Sequence, residues 1–275
     1  MTTSPFLSRR ERFETVASTN DIVAGWLDAG ADEVCVASAD VQTAGRGRRG
    51  RTWVAPPGAA LLVSAGFRPS WIEPDRTWRV AATASLAMAD AAEDVAGLPD
   101  RAILLKWPND LVIVDPDGAE AGAPVARKVG GVLGEAADAG THGARVVVGI
   151  GMNAGWPADA FPADLAPAMT SLSVASGGRP VDAEALLDAW IDRLEARIEA
   201  LRAGRFDVAD WTARQLIRRM RVRLAHGTDP ADTGEEVLAI GADPLTGALV
   251  VEDPSAEGGE RQVHAGEIAR LVAGV

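Results

Sequence analysis

Short segments in the middle of the chain constrain its fold most. Residues 103–105, 111–114, 128–135 and 145–151 are predominantly apolar, and the longer linkers between them are rich in Gly, Pro and Asp. None of these linkers carries the apolar repeat of a helix. Successive strands joined by turns pair antiparallel, whereas parallel strands need long crossover connections that are usually helical. The segments therefore predict antiparallel pairing and argue against a doubly wound nucleotide-binding fold.

The rest of the chain predicts helices and a second, smaller unit. Residues 78–95 and 183–202 predict helices, and the second has apolar residues that repeat at spacings of three and four. Residues 159–179 predict a loop. Short alternating segments at 221–225, 236–240, 248–251 and 261–263 predict the strands of a small β-barrel. We expect two domains, at residues 1–217 and 218–275.

An arginine- and glycine-rich segment at residues 42–53, the arginine loop, carries the strongest chemical signal. It reads Gln-Thr-Ala-Gly-Arg-Gly-Arg-Arg-Gly-Arg-Thr-Trp. Glycine permits close backbone approach, and guanidinium groups match carboxylate and phosphate oxygens. The loop predicts a site for a small anion; a solvated basic loop and an RNA-binding arm are the alternatives. It lacks the Gly-Lys-Ser/Thr ending of a P-loop, and Pro56 and Pro57 preclude the helix of a dinucleotide fingerprint.

Charge and composition narrow the classes of partner. The formal net charge of -12 opposes general binding to DNA, RNA or anionic membranes. Cys35 is the only cysteine, which excludes an internal disulfide, and its apolar neighbours predict a buried thiol. Residues 1–13 have no apolar signal-peptide core and no segment is long enough to span a membrane, so we expect a cytoplasmic protein. His142, His226 and His264 are far apart, and no zinc-type ligand set is visible.

Two further features leave structural and functional interpretations open. Residues 18–21 read Ser-Thr-Asn-Asp and predict a helix start capped by Ser18, and such a start is also a place to hold a polar ligand group. Five glycines lie inside predicted strands, at Gly130, Gly131, Gly134, Gly149 and Gly151. Glycine weakens a strand by roughly 0.5 to 1 kcal/mol relative to alanine. Close approach of a ligand and tight packing or bulging are both open explanations.

Five motifs occur in the order and at the spacing found in the bacterial biotin protein ligases, which the chain resembles. They are Ser18-Thr19-Asn20, residues 42–51 with Trp53, Lys106-Trp107-Pro108-Asn109-Asp110, Lys128-Val129-Gly130-Gly131-Val132-Leu133 and Gly149-Ile150-Gly151-Met152-Asn153. The resemblance implies an α+β catalytic domain of the class II synthetase-like kind. Such a domain has a mixed, largely antiparallel sheet with helices on one side, and an SH3-like β-barrel follows it.

The resemblance also implies a cytoplasmic two-step ligase that uses ATP and Mg²⁺. The biotin carboxylate attacks the α-phosphorus of ATP and gives biotinyl-5'-AMP and pyrophosphate. A lysine of the biotin carboxyl carrier domain of an acyl-CoA carboxylase then attacks this mixed anhydride. A lipoate or octanoate ligase or transferase of the same fold is the alternative, and the arginine run favours the biotin branch.

Residue by residue, the resemblance implies a biotin site, an ATP site and a set of reactive groups. The implied biotin-binding residues are Ser18, Thr19, Asn20, Gln42, Gly45, Arg46, Arg48, Lys128, Gly131, Gly149 and Gly151. The implied ATP- or adenylate-binding residues are Arg48, Arg49, Arg51, Trp53, Asn109, Lys128 and Asn153. The implied catalytic residues are Arg46, Arg48, Lys128 and Asp110, and Asp110 is the candidate magnesium ligand.

The chain also departs from the family's repressors. Those proteins carry a winged-helix DNA-binding domain before the Ser-Thr-Asn motif, and here 17 residues precede Ser18. Together with the acidic balance, this predicts a ligase that does not regulate transcription through DNA. A binding module is the rival of a different class, with the arginine loop as an RNA contact and the barrel as an interaction domain.

Overall fold

The computed structural model describes most of the chain. The described ranges are 6–120, 123–138, 140–141, 143–225 and 234–272. His142 and His226 lie outside them. Within these ranges no group of three or more His, Cys, Asp or Glu side chains is arranged to hold a metal ion. The same ranges contain no helix that is both long enough and apolar enough to cross a bilayer.

A seven-stranded sheet forms the centre of the molecule. Its strands are β1 (Arg9–Val16), β2 (Cys35–Gln42), β3 (Ala60–Phe67), β4 (Ile103–Lys106), β5 (Asp110–Glu120), β6 (Ala123–Ala137) and β7 (Arg145–Asn153). In space they run β1-β2-β3-β7-β6-β5-β4. Only β1 and β2 pair in parallel, and every other neighbouring pair in this sheet is antiparallel. The predicted mixed, largely antiparallel sheet is confirmed.

Five helices accompany this sheet in the described chain. They are α1 (Thr19–Asp28), α2 (Trp78–Ala96), α3 (Leu172–Ala175), α4 (Ala183–Arg202) and α5 (Val208–Ala213). The two long ones, α2 and α4, pack on one face, where Leu86, Met88 and Trp190 join the main core. The indole of Trp190 donates a hydrogen bond to the carbonyl of Ala84, with 3.1 Å between the atoms, and this contact joins the two helices.

Helix α1 packs on the other face of the sheet. Its Val23 and Leu27 are buried against Cys35, Ala37 and Val147. Because side chains alternate along a strand, these residues face away from α2 and α4. Beyond α1 this face is left open by the long helices, and the pocket described below lies on it.

A short helix interrupts the stretch from 159 to 179, for which a loop is predicted. Residues Leu172–Ala175 form α3, and the hydroxyl of Ser171 accepts a hydrogen bond from the backbone N–H of Val174 at 3.2 Å. The loop prediction is therefore wrong for these four residues. A single turn of helix has no room for the apolar repeat by which longer helices are recognised.

A buried ion network joins α5 to α2 and β4. The Arg214 side chain is almost fully buried, and its guanidinium donates to both carboxylate oxygens of Glu93, at 2.7 and 2.9 Å. It also donates to Asp90, at 2.7 Å, and to the carbonyl of Ile103, at 3.0 Å. Every one of these acceptors belongs to the large-sheet unit, so Arg214 fixes the chain where it leaves that unit.

A second, five-stranded antiparallel sheet follows. It consists of β8 (Met220–Ala225), β9 (Glu235–Ala242), β10 (Leu249–Glu252), β11 (Glu260–Val263) and β12 (Glu267–Leu271), in the order β11-β10-β9-β8-β12. This separate sheet agrees with the predicted SH3-like unit. The four predicted strands correspond to β8 to β11, and β12 is additional to them.

The second sheet is packed against the turn between β4 and β5. Trp107, in that turn, is buried in a core that includes Leu224 and Ile268, and its indole donates to the carbonyl of Gly247 at 3.2 Å. Ile217 belongs to the same core. The domain boundary between residues 217 and 218 stays a prediction.

Candidate active site

One pocket on the open face of the large sheet gathers most of the residues implied by the five motifs. It is lined by Ser18, Thr19, Asn20, Gln42, Arg46, Arg48, Arg49, Arg51, Trp53, Asn109, Asp110, Lys128, Gly131, Gly149 and Gly151. Of the implied residues, Gly45 and Asn153 do not line it. Five separate motifs, spread over more than 130 residues of sequence, therefore meet around one space.

A network of neutral polar groups lies at the α1 end of this pocket. The carboxamide oxygen of Gln42 accepts from the backbone N–H of Thr19 at 2.7 Å. The Thr19 hydroxyl is 2.7 Å from the hydroxyl of Ser64, which in turn donates to Asn20 Oδ1 at 2.6 Å. Hydroxyls and carboxamides offer both donors and acceptors, so this end can recognise a neutral polar group.

Ser18 does not cap the helix in the way the sequence predicts. Its side chain makes no capping hydrogen bond. The Gln42 carboxamide at the end of β2 instead bonds the backbone N–H of Thr19, the first residue of α1. Ser18 is nevertheless buried and lines the pocket. Its hydroxyl has no side-chain hydrogen bond within the described chain, which leaves it available to a ligand.

The strand glycines leave room for pocket side chains on one face of the sheet and for helix α2 on the other. A Cβ at Gly149 would lie 2.2 Å from Asn20 Oδ1, and one at Gly151 would lie 2.4 Å from the Trp53 indole. These positions, with Gly131, form the floor of the pocket. A Cβ at Gly134 would instead meet helix α2, at 3.3 Å from Ala81 Cβ. The sequence left two explanations open, room at a ligand site and tight helix packing, and each applies to some of these glycines.

Trp53 lies on this glycine floor. Its ring centroid is 5.5 Å from Lys128 Nζ, and its own indole N–H has no hydrogen-bond partner. The backbone N–H of Trp53 donates to the carbonyl of Gly45 at 2.9 Å, and a Cβ at Gly45 would lie 2.5 Å from the Trp53 carbonyl oxygen. Gly45 therefore closes the base of the arginine loop, which explains why it does not line the pocket.

Cationic groups collect at the β5 end. Lys128 Nζ lies 2.6 Å from Asp110 Oδ1, and the two residues come from adjacent strands. Lys106, which belongs to the third motif but received no role there, lines the same pocket. Burial lowers the pKa of Lys106 below its ordinary value, and the charges of Asp110 and Glu267 oppose that shift. The place of Lys106 in the same short motif as Asp110 was the sequence signal for it, and the strand register puts the two residues opposite each other.

Arg48 and Arg46 differ in how their charges are compensated. Arg48 is half-buried, and its side chain makes no hydrogen bond or ion pair with the described residues; burial, followed by the charge of Arg49, lowers its pKa. Arg46 donates to both oxygens of Asp21 at 2.8 Å and to Glu135 at 3.2 Å. The hydrogen bonds to Asp21 raise the pKa of Arg46. Of these two arginines, Arg48 is therefore the one available to bind a ligand.

Asn109 holds the turn in place. Its side-chain N–H donates to the carbonyl of Val132 and its own carbonyl accepts from the N–H of Val132, both at 2.9 Å. These two bonds fasten the β4–β5 turn to β6. The side-chain bond to the Val132 carbonyl accounts for an asparagine at this position.

Comparison with known proteins identifies the family. The model of the Biotin/lipoate A/B protein ligase family matches residues 13–153. This chain belongs to that family. The predicted resemblance is confirmed, and the matched region contains all five motifs.

The relatives of this ligase-family chain agree. It is 33% identical over 225 residues to the biotin--[acetyl-CoA-carboxylase] ligase of Mycobacterium tuberculosis, covering 80% of this chain and 76% of the relative. It is 31% identical over 164 residues to the bifunctional ligase/repressor BirA of Bacillus subtilis, covering 60% of this chain and 46% of that protein. The chain therefore matches less than half the length of BirA.

Solved structures show the same fold. A biotin protein ligase from Aquifex aeolicus in complex with biotin and ATP superposes with a TM-score of 0.72 at 22% identity, covering 96% of this chain and 99% of that one. A biotin protein ligase from Leishmania major in complex with biotinyl-5-AMP has a TM-score of 0.58 at 22% identity. The predicted fold of a biotin ligase catalytic unit with a small C-terminal sheet is confirmed.

Asn153 stands beside the pocket of this family member. It is buried at the end of β7, where its side-chain N–H donates to the carbonyl of Thr170 at 2.9 Å and its Oδ1 has no partner. The backbone N–H of Thr170 in turn donates to the carbonyl of Lys128 at 2.9 Å. The backbone of Thr170 thus links the Asn153 side chain to the backbone of Lys128.

The acidic groups of the pocket suit a magnesium ion that arrives with a nucleotide. Mg²⁺ is usually held by one or two carboxylates together with substrate phosphates and water. Asp110 supplies one carboxylate among the pocket residues. Such a donor set fits a metal whose remaining ligands come from the nucleotide.

Proposed function

We propose that this chain is an ATP-dependent biotin protein ligase. It converts biotin and ATP into biotinyl-5'-AMP and pyrophosphate, and then transfers biotin to a lysine of a biotin carboxyl carrier domain. One observation carries the proposal: a neutral polar network beside β3 and a cationic cluster beside β5 face one pocket, with the glycines of β7 and β6 between them. A ligand with a neutral polar head, an apolar tail and a carboxylate matches that sequence of surfaces.

The neutral end suits the ureido ring of biotin. The ring has one carbonyl acceptor and two N–H donors, and it is uncharged. The Ser18 hydroxyl is available, and Thr19, Asn20 and Gln42 are already oriented by mutual hydrogen bonds. Groups that are fixed before the ligand arrives lose little conformational entropy on binding. The glycine floor, at Gly131, Gly149 and Gly151, then lies along the path of the biotin tail.

The cationic end suits the first chemical step. A biotin carboxylate oxygen bonds to the α-phosphorus of ATP while the bond to the β-phosphate bridging oxygen breaks, and the electron pair leaves with pyrophosphate. Two anions must approach each other, so fixed positive charge lowers the barrier. Arg48 has no competing partner among the residues that the structure describes, and Lys128 is held in place by Asp110 at 2.6 Å. Arg46 would contribute only if the ligand competes with Asp21 and Glu135.

The nucleotide would extend from the same cluster. Arg49 and Lys106 line the pocket beside Arg48 and are suited to phosphate oxygens. Arg51 lines it too, but it would contribute only if the nucleotide competes with Glu267. Bound Mg²⁺ supplies charge neutralisation on the phosphates, and Asp110 is the residue that would hold it. Trp53 offers an aromatic face to the adenine. Asn153 is buried and does not line the pocket, so it would contact the adenylate only if the site opens on binding.

The second step uses the same positive charge. The carrier lysine, as a neutral amine, attacks the acyl carbon of biotinyl-5'-AMP, and the bond to the phosphate oxygen breaks so that AMP leaves. Negative charge develops on the carbonyl oxygen and then on AMP, and Arg48 and Lys128 stabilise both. The name of the Mycobacterium tuberculosis relative supports a carrier domain of an acyl-CoA carboxylase as the partner. Action in the cytoplasm and without DNA binding belongs to the same proposal.

Incubation of the protein with α-labelled ATP, Mg²⁺ and one free acid at a time tests this function. We expect biotinyl-5'-AMP and pyrophosphate to form with biotin, and mass spectrometry to find biotin on a single lysine of an added carrier domain. Lipoyl-AMP without biotinyl-AMP would instead support the lipoate branch of the fold. Absence of any adenylate, with tight and salt-sensitive RNA binding, would support the binding-module alternative.

A further inference from the structure

A carboxylate of the C-terminal sheet reaches into the arginine loop. Glu267 is the first residue of β12 and lines the pocket. Arg51 Nη1 donates to Glu267 Oε1 at 2.7 Å, and Arg51 Nη2 donates to the second carboxylate oxygen. Two parallel bonds between a guanidinium and a carboxylate fix orientation as well as distance. The two residues are 216 positions apart in sequence, so only the folded chain brings them together.

Repulsion among the arginines of the arginine loop favours an anion beside it. The loop carries Arg46, Arg48, Arg49 and Arg51 within six residues. The charges of Arg49 and Arg51 both act to lower the pKa of Arg48, which is a measure of repulsion inside the loop. Near its start, ion pairs from Arg46 to Asp21 and Glu135 fix the loop. At its end, the ion pair between Arg51 and Glu267 fixes the loop.

Fixing Arg51 also fixes Arg48. The backbone N–H of Gly47 donates to the carbonyl of Arg51 at 2.7 Å, and the N–H of Arg51 donates to the carbonyl of Arg48 at 3.2 Å. Arg46 and Thr52 form a further bridge across the loop. Because these bonds make a compact turn, the side chain of Arg48 is presented to the pocket from a base that Arg51 anchors.

Glu267 is mounted on a rigid support. The next residue, Ile268, is fully buried in the core that contains Trp107, and Glu267 is paired with Ala225 of β8. The Glu267 side chain is 27% exposed, whereas that of Arg51 is 63% exposed. The C-terminal sheet therefore fixes the Glu267 carboxylate, and its ion pair with Arg51 fixes the arginine loop.

We propose that Glu267 is a positioning residue through which the C-terminal sheet clamps the arginine loop closed and sets Arg48 over the pocket. The clamp itself is independent of the proposed ligase function, and only its effect on catalysis rests on that function. It gives the C-terminal sheet a part in the active site without contact between Glu267 and the reacting atoms.

Limited trypsin digestion tests the clamp directly, because trypsin cleaves after arginine and the loop holds several such bonds. We expect Glu267→Gln to raise the rate of cleavage after Arg48 and Arg49 about fivefold, in keeping with loss of one partly exposed ion pair. Glu236→Gln is the matched control: Glu236 lies in the same sheet and pairs with Arg221 and Arg223, away from the loop. The control should digest like the wild type, and an unchanged rate for Glu267→Gln would overturn the proposal.

Two further variants guard against a trivial loss of structure. Arg51→Gln breaks the same pair from the loop side, where no strand of the C-terminal sheet is altered, and it should raise cleavage after Arg48 and Arg49 to the same extent. The exchange Arg51→Glu with Glu267→Arg should restore protection at those two bonds. Failure of the exchange to restore protection, with both single variants folded by circular dichroism, would also overturn the proposal.

The catalytic consequence is a separate measurement. If Glu267 positions Arg48, Glu267→Gln should lower kcat for adenylate formation about fivefold while the Kd for biotin without ATP stays unchanged. If Glu267 instead occupies the place of a nucleotide phosphate, the variant should lower the KM for ATP, and that result would contradict the proposal. A protein without any ligase activity would refute the proposed function and leave the digestion result to decide the clamp.

Discussion

Lys128 and Asp110 form an ion pair across the β5–β6 strands, with 2.6 Å between Nζ and Oδ1. Asp110 is opposite Gly131 in the strand register, and a Cβ at Gly131 would lie 3.2 Å from Lys128 Nζ. The glycine leaves room for the lysine to lie over the strand and meet the aspartate. Three residues from two motifs thus act together to place one ammonium group in the pocket.

The first prediction concerns that ammonium group. Lys128→Met keeps the length of the side chain and removes its charge, so we expect adenylate formation to fall by about 10²-fold, the usual cost of losing one fixed group that stabilises developing negative charge. The midpoint of thermal unfolding should change little, because Lys128 is partly exposed. Arg127→Met is the control, since Arg127 is the neighbouring cation and pairs with Asp115. Equal activity of both variants would remove Lys128 from its proposed role.

The second prediction concerns the glycine floor. Gly149→Ala would place a methyl group 2.2 Å from Asn20 Oδ1, so that oxygen and its bond from Ser64 must be displaced. Overpacking of this kind costs about 1 to 3 kcal/mol, and we expect the Kd for biotin to rise at least tenfold in calorimetry. Gly155→Ala is the matched control, because a Cβ there meets no atom within 4 Å. Unchanged biotin affinity in Gly149→Ala would show that Asn20 does not shape the site.

The third prediction concerns the stability of the large-sheet unit at the point where the chain leaves it. Arg214→Met leaves the buried carboxylate of Glu93 without its partner, and breaking a buried pair in this way costs about 3 to 5 kcal/mol. Arg193→Met removes an exposed pair with Asp94 and should cost less than about 1 kcal/mol. Denaturant unfolding measures both values. Similar small losses in the two variants would mean that the Arg214 network contributes little to the fold.

The fourth prediction concerns pH. Burial raises the pKa of Cys35 from 9.0 to about 11, so the folded state keeps the thiol proton where the unfolded chain has released it. The contribution of this thiol to stability is fully present below pH 9 and is lost as the pH rises through 11. The free energy of unfolding of the wild type should therefore fall more steeply between pH 9 and 11 than that of Cys35→Ala, by about 2 kcal/mol. Parallel curves would contradict this.

Much of the fold follows from local sequence. Strands β5, β6 and β7 are separated by turn residues alone, and this spacing leaves antiparallel pairing as the solution. Most of the residues that line the pocket could also be predicted as a set, because each of the five motifs is contiguous in sequence. Neither argument depends on contacts between distant parts of the chain.

What the sequence did not predict depends on distant partners. Ser18 makes no capping bond, and the first backbone N–H of α1, at Thr19, is bonded instead by the Gln42 carboxamide from 23 positions away. Glu267 acquires its role only through Arg51, and β12 carries too few alternating apolar residues to be recognised as a strand. In each case the missing information is which group the folded chain brings close.

The central claim is that Arg48 and Lys128 together hold the place where a biotin carboxylate meets the α-phosphate of ATP. The most direct measurement is a crystal structure with biotin and a non-hydrolysable ATP analogue. We expect the carboxylate and the α-phosphate to lie within hydrogen-bond distance of the Arg48 guanidinium and Lys128 Nζ, with the ureido ring on Thr19 and Gln42. Binding of either molecule away from this cluster would contradict the account.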